Sequence, residues 1–110
     1  MLDDFQAFGI ATEFYQACKA VKLPAFLKDQ LTRASSSVAL NLAEGSGKTS
    51  PPDQRRLYAI ALGSIRECEA ILKLEQVSDS HVIALSKRLG AIVFKLAMPR
   101  GTPFKRETGR

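Results

Sequence analysis

At 110 residues, 45% hydrophobic and 25% charged, the chain has the composition of one globular domain, long enough to build a core without metal or disulfide staples. Its formal net charge of +5 is unevenly placed: residues 1–77 hold nine basic and nine acidic groups, residues 78–110 seven and two. No apolar run is long enough to span a bilayer, and the opening MLDDF, with its acidic pair, is opposite to the basic start of a signal peptide, so a cytoplasmic protein is expected.

Helical periodicity runs through the chain, and no period-two alternation competes with it. The first helix is expected from about Asp3 to Val21, with Ala7, Ala11, Phe14, Cys18 and Val21 as its seam, Phe8 and Tyr15 beside it, and Asp3 and Asp4 at the positive end of the helix dipole. Leu23-Pro24 breaks it, and Pro24 suits the first turn of a second helix reaching about Glu44. In that helix Leu27, Leu31, Ala34, Val38 and Asn41 alternate steps of four and three, which places an amide on an apolar seam. Gly45 is expected to end the helix in the left-handed conformation.

The segment from Gly45 to Pro52 is too rich in glycine, serine and proline to be regular. A third helix should start between Ser50 and Asp53. Leu57, Ala61, Ser64, Cys68 and Ile71 form its seam, and Tyr58, Ile60, Ile65 and Leu72 widen it beyond what one bundle helix requires. After a break at Gln76 to Asp79, Ser78 is read as the cap of a fourth helix, with Val82, Leu85, Leu89, Ile92 and Leu96 along one face until Pro99. Four such helices with mostly short links predict an all-α, antiparallel up-down-up-down four-helix bundle over residues 1–98. Its interior should hold Phe14, Leu31, Val38, Leu57, Ala61, Cys68, Leu89 and Ile92. Residues 99–110 have little apolar content and read as a basic, disordered tail.

Catalytic readings find little support. In GSGKTS, Gly47, Lys48 and Thr49 match the end of a phosphate-binding loop, but the glycine required five residues earlier is Leu42, inside a helix. His81 is the only histidine and reads as a surface or capping residue. Ser35, Ser36 and Ser37 have neither a nucleophile-elbow context nor a base. Glu67 and Glu69 point about 200° apart on a helix. Cys18 and Cys68 lie on apolar stripes and read as buried, reduced thiols. Neither a cofactor nor a metal is expected.

Two groups of side chains remain. Arg33, Asn41, Glu44 and Glu67, with Gln30 and Ser37 nearby, form a polar set that reads as a structural network fixing helix register, buried or facing another subunit. Lys87, Arg88, Lys95, Arg100, Lys105 and Arg106 form a basic set suited to phosphate contacts on RNA or DNA, against the alternative of a solvated face.

The order Leu23-Pro24, then Gln30, Leu31, Arg33, Ala34, Ser37, Asn41, Ala43, Glu44 and Gly45, then Leu57, Ile60, Ala61, Gly63, Ser64, Glu67 and Glu69 resembles the 23S rRNA intervening-sequence protein family. These are four-helix bundle proteins related to the accessory proteins of diversity-generating retroelements. The resemblance spans Leu23 to Leu74; the first helix agrees only in pattern, and the tail after Met98 has no counterpart. It implies a bundle without an established reaction and, through the retroelement relatives, a homopentamer that works with a reverse transcriptase and its RNA. The expected role is a non-enzymatic oligomeric binding or scaffold protein engaging RNA or a nucleoprotein through basic surfaces. The alternative is a structural protein-interaction bundle with no nucleic-acid role.

Overall fold

The computed structural model describes residues 5–99 and Gly101. The expectations placed on Asp3, Asp4, Arg100, Lys105, Arg106 and most of the tail lie outside the described residues. Four helices follow in order: α1 (Gln6–Ala20), α2 (Ala25–Ser46), α3 (Pro51–Leu74) and α4 (Ser80–Ala97). There is no strand among the described residues. Each helix packs on the next, and α1 packs on α4 to close the ring, giving an antiparallel four-helix bundle. At about 1.5 Å per residue the 24 residues of α3 run nearly the whole 40 Å length of the molecule.

The helix ends follow from local chemistry. Pro24 stands directly before α2, where its missing N–H costs nothing, and the Lys28 ammonium donates back to the Val21 carbonyl left open at the end of α1. Ser50 caps α3 by accepting from the Asp53 N–H at 3.2 Å, with Pro51 and Pro52 in the first turn. The cap of α4 is Asp79 rather than Ser78: its carboxylate accepts from the His81 and Val82 N–H groups at 2.9 and 3.2 Å. Between α3 and α4 the chain reverses through Gln76, at φ 54° the only positive-φ residue other than glycine among those described. The Val77 N–H reaches the Leu72 carbonyl and the Gln76 N–H that of Lys73, the paired bonds of a Schellman termination.

Gly45 does not end α2. The helix continues to Ser46, Gly45 is buried within it, and the following Gly47 has φ −90° and ψ −5°, which is not left-handed. What excludes a side chain at Gly45 is the Tyr58 ring of α3: a Cβ there would stand 2.5 Å from Tyr58 Cε1. The glycine lets two helices approach each other.

The core contains Phe14, Leu31, Val38, Leu57, Ala61, Cys68 and Leu89, all expected. Ile92 is only half-buried, because the inner face of α4 is rotated from the expected one. Beside Val82, Leu85 and Leu89 it presents Ser86, Gly90, Val93 and Ala97. Small residues line it where α3 comes close, and a Cβ on Gly90 would lie 3.3 Å from the Arg66 guanidinium. Ile10, which the expected seam of α1 omitted, is buried as well. On α3, Tyr58, Ile65 and Leu72 are used by the core, so of the four residues that widen its stripe only Ile60 remains exposed.

Both cysteines are free and buried. Burial pushes the Cys18 thiol up to about 12, opposed in part by a hydrogen bond with Ser35 and by the Lys28 charge. Cys68 is raised as well, first by burial and then by Cys18, Glu67 and Glu69. Because folding raises both thiols above their ordinary 9.0, their contribution to stability is complete below pH 9.0 and is lost as pH rises from there toward 12. Iodoacetamide at pH 8 should leave both thiols unmodified in the native protein and alkylate both in denaturant, as read by intact mass. Labelling of the native protein at the rate of an exposed cysteine would contradict this burial.

Candidate functional site

The α2–α3 contact carries the most polar chemistry of the bundle. A cleft of about 320 Å³ opens there, lined by Gln30, Arg33, Ala34 and Ser37 from α2 and by Ser64 and Glu67 from α3. At its floor the Ser37 and Ser64 hydroxyls are 2.9 Å apart, a hydrogen bond that ties the two helices in register. The Asn41 amide, half-buried at the edge of the seam, donates to the Ser37 carbonyl at 2.9 Å and to the Ser37 hydroxyl at 3.1 Å. Thus the amide of the seam finds its partners one turn back on its own helix. Ser37 connects it to α3.

The other expected members of the polar set are not joined to that network. Arg33 and Glu67 are both exposed on the rims of the cleft, and no ion pair links them among the described residues. Glu44 is exposed beyond it, with Lys48 at 4.0 Å. Glu69 instead pairs with Arg66 at 2.9 Å on the α4 side of α3, which separates it from Glu67. A sequence in which Arg33 and Glu67 recur at compatible heights cannot reveal that both side chains point outward.

The basic set divides similarly. Lys87, Arg88 and Lys95 are exposed on α4. Arg88 and Lys95, seven residues apart, share the outer face, whereas Lys87 lies in a shallow groove between α3 and α4 beside Glu69 and Lys73. Arg100, Lys105 and Arg106 lie outside the described residues.

The arrangement offers little for catalysis. Ser35 is buried and donates to the Leu31 carbonyl at 2.8 Å, and Ser36 donates to that of Arg33 at 2.9 Å. His81 is exposed at the start of α4, 3.7 Å from the Glu13 carboxylate. Among the described residues no group of three or more His, Cys, Asp or Glu side chains comes together as a metal site, and no helix is long and apolar enough to cross a membrane.

Among the described residues four large apolar side chains are exposed, and of these the sequence reading singles out only Ile60. Phe26, Leu40 and Leu74 are 69%, 66% and 69% exposed, and Ile60 is 45% exposed. All four lie on α2 and α3. The available signal was their spacing: Phe26 and Leu40 stand seven residues on either side of Arg33, and Ile60 and Leu74 seven on either side of Glu67.

Comparison with known proteins finds no match among curated proteins or solved structures. A family model, 23S rRNA-intervening sequence protein, matches residues 5–91, which takes in α1, α2, α3 and most of α4. With four packed helices and a match over most of its length, the chain belongs to the 23S rRNA-intervening sequence protein family.

Proposed function

We propose that this protein is a non-enzymatic, oligomeric binding or scaffold protein of the cytoplasm that engages structured RNA, or a nucleoprotein such as a reverse transcriptase with its RNA, through basic surfaces. The observation that carries the reading is the exposed basic face of α4, with Arg88 and Lys95 outward and Lys87 at its flank, continued in sequence by Arg100, Lys105 and Arg106. No acidic side chain among the described residues forms an ion pair with any of the three. Family resemblance supplies the assembly, a closed homopentamer. Repeating a +5 subunit would convert modest patches into avidity. Only Phe94 and Phe104 stand near these cations in the sequence, too few for an aromatic stacking platform, which favours phosphate contacts over base reading.

A labelled structured RNA titrated against the full chain should bind with little sequence preference. With about six phosphate contacts, affinity should fall by ~10³ between about 50 and 200 mM salt. Changing Lys87, Arg88 and Lys95 together to Gln should flatten that salt slope, and a chain ending at Met98 should do the same. No binding at low salt would remove the nucleic-acid role.

The second reading, a protein-interaction bundle, is favoured by a different observation. The exposed apolar side chains are on α2 and α3, away from the basic face of α4.

A further inference from the structure

Three residues on each of two helices form matched lines along the α2–α3 cleft. On α2 the line reads Phe26, Arg33, Leu40; on α3, taken in the opposite direction because the helices are antiparallel, it reads Leu74, Glu67, Ile60. Seven residues are two turns less about 20°, so each triplet occupies one stripe with about 10 Å between members. Arg33 and Glu67 form opposite rims of the same cleft, and the Ser37–Ser64 bond fixes the register between the helices. Phe26 is therefore at the same end as Leu74, and Leu40 at the same end as Ile60. Each rim is a charge between two exposed apolar side chains, and the two charges are opposite.

We propose that this α2–α3 face is where one copy of the chain packs against another, the α2 rim of one subunit on the α3 rim of its neighbour. The proposal rests on the oligomeric reading above and assigns its interface. In that packing Phe26 meets Leu74 of the partner subunit, Leu40 meets the partner's Ile60, and Arg33 meets the partner's Glu67. Turning the neighbour end for end would instead set Arg33 against Arg33 and Glu67 against Glu67, so the charges select one orientation. The same contacts form whether the subunits close as a pair or as a larger ring. With Arg33 and Glu67 as the charges that line its cleft the face is balanced, which suits a copy of itself better than a polyanion.

Charge reversal across two chains tests the pairing. Arg33→Glu makes both rims acidic, and Glu67→Arg makes both basic. Size exclusion with light scattering should give a multimeric mass for the wild type and single-subunit masses for either variant alone, each with unchanged helical circular dichroism. An equimolar mixture, with one variant fluorescently tagged, should co-elute as mixed pairs, open chains or even-numbered rings, since five subunits cannot alternate the two variants without one like-charged junction. Leu40→Ser should also weaken association at least tenfold without touching the charges. A wild type that stays monomeric at every concentration would overturn the oligomeric reading together with this interface. If the wild type assembles and all three variants keep its mass, only the interface is overturned. Variants that dissociate but fail to associate on mixing would overturn the Arg33–Glu67 pairing. RNA binding by a monomer that is lost in Arg33→Glu would give this face to nucleic acid instead.

Discussion

Replacing Val38 by Asp is expected to unfold the bundle. Val38 is fully buried at the middle of α2, within the cluster that also contains Phe14, Leu31 and Leu89. A carboxylate placed there has no cation among the buried residues to pair with. Burying an unpaired charge costs several kcal/mol, against a total stability of about 5–15 kcal/mol for a domain of this kind. Protonating the carboxyl reduces the cost, but still leaves a polar group with unmade hydrogen bonds in an apolar site. Val38→Ala separates charge from lost packing: it removes about two methylenes' worth of burial, about 2 kcal/mol with the cavity, and should remain cooperative in urea. Leu40→Asp, two residues along the same helix and largely exposed, controls for helix propensity, which costs about 0.5 kcal/mol at most; because Leu40 also lies on the proposed interface, this variant is compared by its retained helicity and not by its melting midpoint. Circular dichroism and urea melts should show Val38→Asp unfolded or nearly so, Val38→Ala weakened and Leu40→Asp folded. A Val38→Asp protein within about 1 kcal/mol of the wild type would mean that α2 does not enter the core through this face.

How far these features could be read from the sequence depends on which physical signal each one leaves. The seams of α2 and α3 were legible because large aliphatic residues recur at threes and fours, and Leu31, Val38, Leu57 and Ala61 are buried as that spacing requires. In the fourth helix Val82, Leu85 and Leu89 are buried as expected, but toward its end the core takes Val93 and Ala97 in place of Ile92 and Leu96. Ile92 and Leu96 look like core by size, but close approach of α3 is made possible by Ser86 and Gly90, whose smallness carries no hydrophobic signal. Asn41 was legible as an amide needing partners, whereas its actual partner, Ser37, is tied to Ser64 across a contact that only the packed helices define. The heptads centred on Arg33 and Glu67 are present in the sequence as well. They acquire meaning only when the side on which α2 and α3 leave their outer surfaces open is known, since the same spacing on an inner face would be ordinary core.

Gly45 should be the position of least tolerance outside the apolar core, and its cost should depend on Tyr58. A Cβ at Gly45 would sit 2.5 Å from Tyr58 Cε1 and 2.9 Å from Cδ1, closer than real carbons approach, and the atom met is a ring rather than the free end of a flexible chain. Tyr58 has little room to retreat: it is buried, and its ring lies 6.1 Å from that of Phe5 in a tilted pair. Alanine inside a helix normally gains about 1 kcal/mol over glycine, but overpacking a filled contact costs about 1–3 kcal/mol, so Gly45→Ala should lose net stability by about 1 kcal/mol. Gly45→Val combines a larger clash with poorer helix propensity and should lose about 3 kcal/mol. The decisive measurement is the double-mutant cycle with Tyr58→Ala. Removing the ring gives the new Cβ its space, so the double variant should be more stable than the sum of the single changes by at least about 1 kcal/mol. A left-handed helix end at Gly45 would respond differently, since its penalty belongs to the backbone and would persist with or without Tyr58. Strict additivity in the cycle, or a Gly45→Ala protein more stable than the wild type, would therefore overturn the helix-contact role that the structure gives this glycine.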